Sequence, residues 1–240
     1  MKKELLEKGF DAAFAAYCDH TVLRAYTKSE AVKEFCEEAK KYKPASVCVN
    51  PVHVALVHSL LKDTSIKTAT VIGFPLGANK TSVKAFEAAE AVKDGADEVD
   101  MVLNVGAMRE GNTELVLADI EAVVKAAAPA AVKVIIETCY LTDEEKVAAC
   151  ELCVKGGAKF VKTSTGMGPG GATVHDVALL AKAADGRILV KASGGVDDRA
   201  TAYAMLMAGA DRLGVSKVPQ IVEDDTSLVT ASKRNQPPKL

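Results

Sequence analysis

The sequence predicts a single (β/α)8 barrel of the TIM-barrel class, on three observations. Short apolar segments rich in β-branched residues recur eight times, helical patterns separate them, and their spacing is regular. The chain has 240 residues, a normal length for one such barrel. Parallel strands joined by helices must bury both faces, and eight such units close into a barrel more often than they form an open sheet.

Each predicted strand follows the one before by roughly 25 to 35 residues, which is the length that one βα unit needs. The strands are placed near Tyr17, Val47, Val71, Val99, Val134, Val161, Leu189 and Leu213. No linker of different composition interrupts the alternation, so residues 1–231 are predicted to form one barrel domain. Residues 232–240 are mostly polar or proline, cannot bury a core face, and are predicted to be a mobile C-terminal tail.

Helices are predicted between the strands where apolar residues follow the helical period, as in residues 82–94 and 114–128. Several predicted helices begin with a threonine followed three residues later by an acidic residue, which is the spacing of a capping box. These pairs are Thr27 with Glu30, Thr142 with Glu145, and Thr173 with Asp176. They mark three predicted helix starts.

The composition argues against several classes of partner. A composition of 49% hydrophobic and 26% charged residues is typical of a globular protein. The formal charge of -2 gives no positive electrostatic field that would attract nucleic acid or an anionic membrane. Charged residues interrupt the opening segment before any signal-peptide core, and no apolar stretch approaches membrane-spanning length. The six cysteines are interpreted as reduced thiols, so a cytoplasmic location is predicted.

Strand alternation places a carboxylate inside the predicted barrel. In the fourth strand Val99, Met101 and Leu103 share one face, which must meet the helices. Asp100 then points into the barrel, with Glu98 on the same face. An ionised carboxylate in that position is costly unless a cation or several donors lie close by. Asp100 therefore needs a partner.

The same alternation turns lysines from later strands inward. In the fifth strand Lys133 and Glu137 take the interior face, where they could pair with each other. Lys191 points inward near the end of the seventh strand, and Lys162 lies at the equivalent level of the sixth. Both lysines and Asp100 converge where this architecture places active sites, although a structural ion-pair network is the alternative interpretation.

Two adjacent lysines suit carbonyl chemistry. An amine must be uncharged to attack a carbonyl, and the ordinary lysine pKa of about 10.4 makes that form scarce at pH 7. A second ammonium nearby and a desolvated pocket both lower that pKa, and a fall of about three units corresponds to roughly 4 kcal/mol. Lys191 is predicted to exert this effect on Lys162.

An ordered set of motifs resembles the deoxyribose-phosphate aldolase family over almost the whole chain. The motifs are Asp19-His-Thr, Ser46-Val-Cys-Val-Asn-Pro51, Gly73-Phe-Pro-Leu-Gly77, Glu98-Val-Asp-Met-Val-Leu-Asn104, Lys162-Thr-Ser-Thr-Gly166 and Lys191-Ala-Ser-Gly-Gly195. In that family the lysine of the Lys-Thr-Ser-Thr-Gly motif forms the Schiff base, which here is Lys162. The resemblance implies that Lys191 is its pKa-lowering neighbour and Asp100 the proton-relay carboxylate. Asp19, at the end of the first strand, is expected to orient Lys191.

The resemblance also implies the reaction, which is reversible cleavage of 2-deoxyribose 5-phosphate into acetaldehyde and glyceraldehyde 3-phosphate. It implies no metal and no organic cofactor. The substrate phosphate needs backbone donors, and glycines after the seventh and eighth strands allow the main chain to approach it closely. The predicted phosphate-binding residues are Gly194, Gly195, Gly214 and Ser216.

Two features depart from the family pattern. Lys217 stands where family members often carry a second serine, and the chain ends in Pro-Pro-Lys-Leu where many members end in a tyrosine that assists proton transfer. Lys217 could bind phosphate as a point charge, or it could turn outward to solvent.

Other candidate sites have less support. Cys150 and Cys153 form a C-x-x-C inside a predicted helix without a second cysteine pair for zinc, which favours a structural role. The four histidines show no shared metal-ligand spacing, which argues against a zinc-dependent aldolase. No metal site is therefore predicted.

Two alternative functions stay open at this point. One is an imine-forming barrel aldolase that acts on a different phosphorylated sugar. It stays open because the sequence does not give the size of the substrate pocket. The other is a non-catalytic barrel that binds a sugar phosphate, an idea suggested by Lys217 and the missing tyrosine. The expected partners are sugar phosphate and aldehyde substrates, without nucleic acid or membrane, and a homodimer paired through the outer helices is possible.

Overall fold

The computed structural model describes residues 12–223, which form a closed barrel of eight parallel strands. The strands follow chain order around the barrel, and β8 pairs with β1 to close it. They are β1 (Cys18–Val22), β2 (Ser46–Val49), β3 (Lys67–Ile72), β4 (Glu98–Val102), β5 (Ala131–Ile135), β6 (Phe160–Lys162), β7 (Leu189–Ser193) and β8 (Arg212–Val215). The predicted (β/α)8 barrel is confirmed, and Tyr17 alone of the predicted strand positions falls just outside its strand, directly before β1.

Helices connect the strands and cover the barrel. They are α1 (Ala12–Ala15), α2 (Ser29–Tyr42), α3 (Val54–Leu61), α4 (Thr81–Lys93), α5 (Val105–Arg109), α6 (Thr113–Ala127), α7 (Asp143–Lys155), α8 (Val174–Ala184), α9 (Arg199–Ala208) and α10 (Val218–Glu223). Short 3-10 turns at Pro51–His53 and Thr138–Tyr140 precede α3 and α7. The helices predicted over residues 82–94 and 114–128 are confirmed as α4 and α6, each displaced by one residue.

The predicted helix caps have different outcomes. The capping box at α7 is confirmed, because Glu145 N donates to Thr142 Oγ1 at 3.3 Å and Thr142 N donates to Glu145 Oε2 at 2.8 Å. Thr173 caps α8 with its hydroxyl. The cap predicted at Thr27 is wrong: α2 starts at Ser29, and the Thr27 N–H donates to the carbonyl of Arg24 in the preceding turn.

The strands separate an apolar outer face from a charged interior, as their alternation predicts. Val99 packs in the main apolar core against the helices, whereas its neighbour Asp100 is buried on the opposite face. Strand register aligns the interior residues in layers, so that Asp100 lies beside Lys133 and Lys162 beside Lys191. The interior of the barrel is therefore where charged side chains from different strands can form a reactive site.

Both chain ends lie beyond what the structure describes. Residues 1–11 and 224–231 of the predicted domain and the whole predicted tail over residues 232–240 are outside the described residues. Between residues 12 and 223, no helix has both the length and the apolar character needed to cross a membrane.

Candidate active site

Within the described barrel, seven charged side chains form one interior ion-pair network, which the half-exposed Lys67 contacts through Glu98. They are Asp19 of β1, Glu98 and Asp100 of β4, Lys133 of β5, Lys162 of β6, Lys191 of β7 and Arg212 of β8. All except Arg212 are buried, so water screens their charges weakly. The four residues that the sequence analysis assigns to chemistry are therefore brought together in one place.

Asp100 lies between three ammonium groups. Its Oδ1 accepts a hydrogen bond from Lys133 Nζ at 2.7 Å, and its Oδ2 accepts from Lys162 Nζ at 2.8 Å and Lys191 Nζ at 2.7 Å. Burial alone would raise the pKa of Asp100, but the three lysine charges outweigh it and hold that pKa well below its usual range. The prediction that Asp100 needs a partner is confirmed, and its partners are three lysines.

Lys162 differs from the other cations of the network in the direction of its pKa shift. Its Nζ pairs with Asp100 Oδ2, the same oxygen that accepts from Lys191. Burial lowers the pKa of Lys162, Asp100 opposes this, the Lys191 charge adds to the lowering, and the resulting pKa is below the ordinary lysine value. The effect predicted for Lys191 has the right sign, but burial is the larger cause.

Lys191 is held by two carboxylates, one from β1 and one from β4. Its Nζ donates to Asp19 Oδ2 and to Asp100 Oδ2. Burial alone would lower the pKa of Lys191, but Asp100 and Asp19 outweigh it and raise that pKa above the ordinary value. Arg212 fixes the other oxygen of Asp19 at 2.5 Å, so the contact between Asp19 and Lys191 has a defined orientation.

The pairing suggested between Lys133 and Glu137 is wrong. Lys133 Nζ instead lies 2.6 Å from Glu98 Oε2 and 2.7 Å from Asp100 Oδ1. The strand alternation used for that prediction ends at Ile135, and Glu137 adopts a left-handed backbone conformation with a φ of 52°. The side chain of Glu137 consequently leaves the interior row of β5.

Glu137 instead holds the segment that follows Lys162. Its Oε2 accepts a hydrogen bond from Thr165 Oγ1 at 2.5 Å, and its Oε1 accepts from the Thr165 N–H at 3.2 Å. Thr165 Oγ1 in turn accepts from the Met167 N–H at 3.0 Å. These residues line a cavity of about 180 Å³, whose wall includes the interior residue Val102, two positions beyond Asp100 on β4. Glu137 thus links the ends of β5 and β6 at the barrel mouth.

The sequence analysis missed Arg212, and it placed Lys133 and Glu137 in the interior without their actual partners. In the β8 segment Arg-Leu-Gly-Val, Leu213 and Val215 face outward to the helices. Strand alternation could therefore have placed Arg212 inside the barrel. The contacts that Lys133 makes with Asp100 and Glu98 depend on the register between β4 and β5, which the pattern does not give. The turn at Glu137 has no local sequence signal, because a glutamate rarely takes a positive φ.

The predicted phosphate residues lie around the ends of β7 and β8. Gly194 and Gly195 follow β7 with φ angles of 84° and 77°, which favour glycine, and Ser216 is exposed directly after β8. Gly214 lies within β8, where an added Cβ would be 2.7 Å from that of Ser193, so a side chain has no room there. A larger residue is therefore disfavoured at all three glycines.

Lys217 also lies at this side of the mouth. Its Nζ is 3.1 Å from Asp197 Oδ1, which joins the segments after β7 and β8. Lys217 therefore does not extend freely into solvent, although its side chain is still partly exposed.

Among residues 12–223, the side chains that could share a metal ion lie outside this network. Asp143, His175 and Asp176 come close enough to share a metal ion, on the outer helices. The Lys146 ammonium already bridges the two carboxylates, at 2.9 Å from Asp143 and 2.7 Å from Asp176. Cys48 is buried, and burial together with the charge of Asp100 raises its thiol pKa to about 11, so it is a neutral neighbour of the network.

Known proteins match this chain along most of its length. A family model described as DeoC/LacD family aldolase matches residues 13–216. A protein of Geobacillus sp. (strain WCH70) named deoxyribose-phosphate aldolase is 56% identical over 214 residues, covering 89% of this chain and 96% of that protein. One of Streptococcus suis with the same name is 55% identical over 200 residues, covering 83% of this chain and 91% of its own length.

A solved structure gives the same result in three dimensions. The deoxyribose phosphate aldolase from Aeropyrum pernix, described as a tetramer, superposes with a TM-score of 0.86 at 31% sequence identity. The match covers 95% of this chain and 97% of that one. Fold and sequence therefore point to the same group of proteins.

Proposed function

Since this chain belongs to the DeoC/LacD family of aldolases, we propose that it cleaves 2-deoxyribose 5-phosphate reversibly into acetaldehyde and glyceraldehyde 3-phosphate, through an imine on Lys162. The chain is an aldolase, a lyase that breaks a carbon–carbon bond. The single observation that supports Lys162 as the nucleophile is its place in the network. It is a buried lysine whose carboxylate oxygen is shared with a second lysine.

The first step forms the imine. The uncharged amine of Lys162 attacks the aldehyde carbon C1 of the open-chain sugar, and loss of water leaves a cationic iminium. Burial and the neighbouring Lys191 charge both disfavour the protonated form of Lys162, and they outweigh the opposing effect of Asp100, so the uncharged amine becomes accessible.

The second step breaks the bond between C2 and C3. The C3 hydroxyl loses its proton, its oxygen becomes the carbonyl of glyceraldehyde 3-phosphate, and the electron pair of the broken bond forms an enamine on C1 and C2. Protonation at C2 then gives the iminium of acetaldehyde, and hydrolysis frees Lys162. Asp100, Lys191 and a water molecule move the proton at C2, because both side chains lie within hydrogen-bonding distance of Lys162 or of each other.

The imine is tested by trapping. With acetaldehyde present, borohydride should reduce the imine to a stable adduct, and peptide mass mapping should locate that adduct on Lys162. Reduction without acetaldehyde is the control. An adduct on another lysine would reject Lys162 as the nucleophile.

The phosphate site is tested by charge. Ser216→Asp should raise KM for 2-deoxyribose 5-phosphate about tenfold, corresponding to about 1.4 kcal/mol, because a carboxylate would repel the phosphate at the barrel mouth. The KM for 2-deoxyribose, which has no phosphate, is the control and should change little. An unchanged KM for the phosphorylated sugar would contradict a phosphate at Ser216.

The enzyme is proposed to be cytoplasmic and dimeric. A cytoplasmic enzyme is supported by six cysteines that are all free thiols, since disulfides are rare in that compartment. A homodimer paired through the outer helices is proposed as the assembly, which makes it smaller than the tetramer described for the Aeropyrum pernix relative.

A further inference from the structure

The interior network of the barrel contains more cations than carboxylates. The cations are Lys133, Lys162, Lys191 and Arg212, and the carboxylates are Asp19, Glu98 and Asp100. Lys67 also contacts Glu98, at 3.0 Å, but its side chain is 50% exposed and water screens its charge. When all seven groups are charged, four cations therefore face three carboxylates and one positive charge is in surplus.

A surplus charge is costly where water is excluded, so one of the four cations is favoured to lose its proton. The contacts identify which one. Lys133 lies within 3.5 Å of all three carboxylates, whereas Lys191 and Arg212 each pair with two. Lys162 pairs with Asp100 alone, through an oxygen that it shares with Lys191.

We propose that Lys133 and Glu98, which the imine chemistry does not use, are positioning residues. They set the charge count of the interior, which is the number of its cations minus the number of its carboxylates. This count makes Lys162 the lysine that gives up its proton. This inference rests on the proposed function, since it explains how the imine-forming amine becomes free. Lys133 acts through Asp100, because it occupies the Oδ1 of that carboxylate and leaves Lys162 a shared Oδ2.

The same count favours one step of the reaction in the synthetic direction, the loss of a proton from C2. Forming the iminium restores a positive charge at Lys162, so the interior again holds one cation too many. In the synthetic direction, loss of a proton from C2 turns the electrons of that C–H bond into the enamine double bond and returns the C=N electron pair to nitrogen. The enamine is uncharged, so the proton that leaves through Asp100, Lys191 and water removes the surplus.

The groups that face Lys162 agree with this assignment. They are Asp100 of β4, Lys191 of β7 and the neutral thiol of Cys48 on β2. For Lys133, Lys191 and Arg212 burial opposes the charged form, yet the carboxylates outweigh it and raise the pKa of each. For Lys162 the pKa moves in the opposite direction.

Changing the charge count tests the proposal, because it should move the reactivity of Lys162 in opposite directions. Lys133→Met removes the surplus and should raise the pH at which Lys162 becomes reactive by about one to two units. Glu98→Gln makes the surplus larger and should lower that pH by about one unit. The double variant restores the original count and should return the profile close to that of the parent protein.

The measurement is the rate of reductive labelling of Lys162 by acetaldehyde and cyanoborohydride across a pH series, with peptide mass mapping at each pH. Lys67→Met is the matched control, because it removes a lysine from the water-exposed side of the same Glu98 carboxylate and should leave the profile in place. Circular dichroism establishes that each variant is folded. If Lys133→Met does not fold, the acidic shift of Glu98→Gln against Lys67→Met decides the question.

The charge-count proposal would be overturned by single variants that shift in the same direction, or by profiles that all coincide with that of the parent. A shift in Lys67→Met as large as that in Lys133→Met would also overturn it. Failure of the proposed function would look different, because the parent protein would then carry its label on a lysine other than Lys162.

Discussion

Replacing Lys162 with methionine is expected to lower kcat for 2-deoxyribose 5-phosphate by roughly 10⁴-fold to 10⁶-fold, because no other group replaces a covalent nucleophile. The stability of the fold should not decrease. Lys162 is the fourth cation beside three carboxylates, so its removal leaves three ion-paired cations and no unpaired carboxylate. The free energy of unfolding should therefore equal or exceed that of the parent protein, as is common when an active-site group is removed.

Steady-state kinetics and urea unfolding measure the two effects of this change. Lys146→Met is the matched control, since Lys146 is also buried and ion-paired but belongs to α7 on the outside of the barrel. It should lose stability and keep its turnover per folded molecule. If Lys162→Met retained more than about 1% of kcat, the imine assignment would be untenable.

Asp100→Asn is expected to damage both turnover and stability. The amide would leave Lys133, Lys162 and Lys191 without their shared carboxylate, and removing one partner of a buried ion pair costs about 3–5 kcal/mol. Loss of the carboxylate should also lower kcat by roughly 10²-fold to 10⁴-fold, the range typical of a lost proton-transfer group. Both values come from urea unfolding and from kcat measured on the folded fraction.

A second buried carboxylate separates these two effects. Asp119 of α6 pairs with the buried Lys84 of α4 at 2.5 Å, in the helical layer around the barrel. Asp119→Asn should lose stability comparably and keep its kcat per folded molecule. Equal losses of kcat in the two variants would mean that Asp100 acts through the fold alone.

Local patterns in the sequence were sufficient to predict where the strands lie and which residues face inward. The alternation of apolar and charged residues in β4 placed Asp100 inside and Val99 outside, and both placements are confirmed. The rule holds because successive side chains of a strand point to opposite faces, so the direction of one residue gives that of its neighbours. The lysines at positions 162 and 191 followed from the same rule together with the family motifs.

The caps and turns were harder to predict, because they depend on how the chain leaves an element. Thr27 has the spacing of a helix cap but lies in a turn that begins at Arg24. Glu137 follows β5 in the alternating pattern, yet its positive φ takes it to Thr165 instead of to Lys133. In both cases neighbouring segments of the fold determine a backbone conformation that the local residues do not.

The sequence by itself determined the barrel, the inward direction of its charged side chains and the family to which the chain belongs. Tertiary structure alone decided which charges meet, because ion pairs form between strands that are far apart in the chain. Closure of β8 onto β1 brings Arg212 to Asp19, and Asp19 contacts Lys191 across 172 residues of sequence. An excess of one cation over the carboxylates is a property of that assembled set, and no single strand contains it.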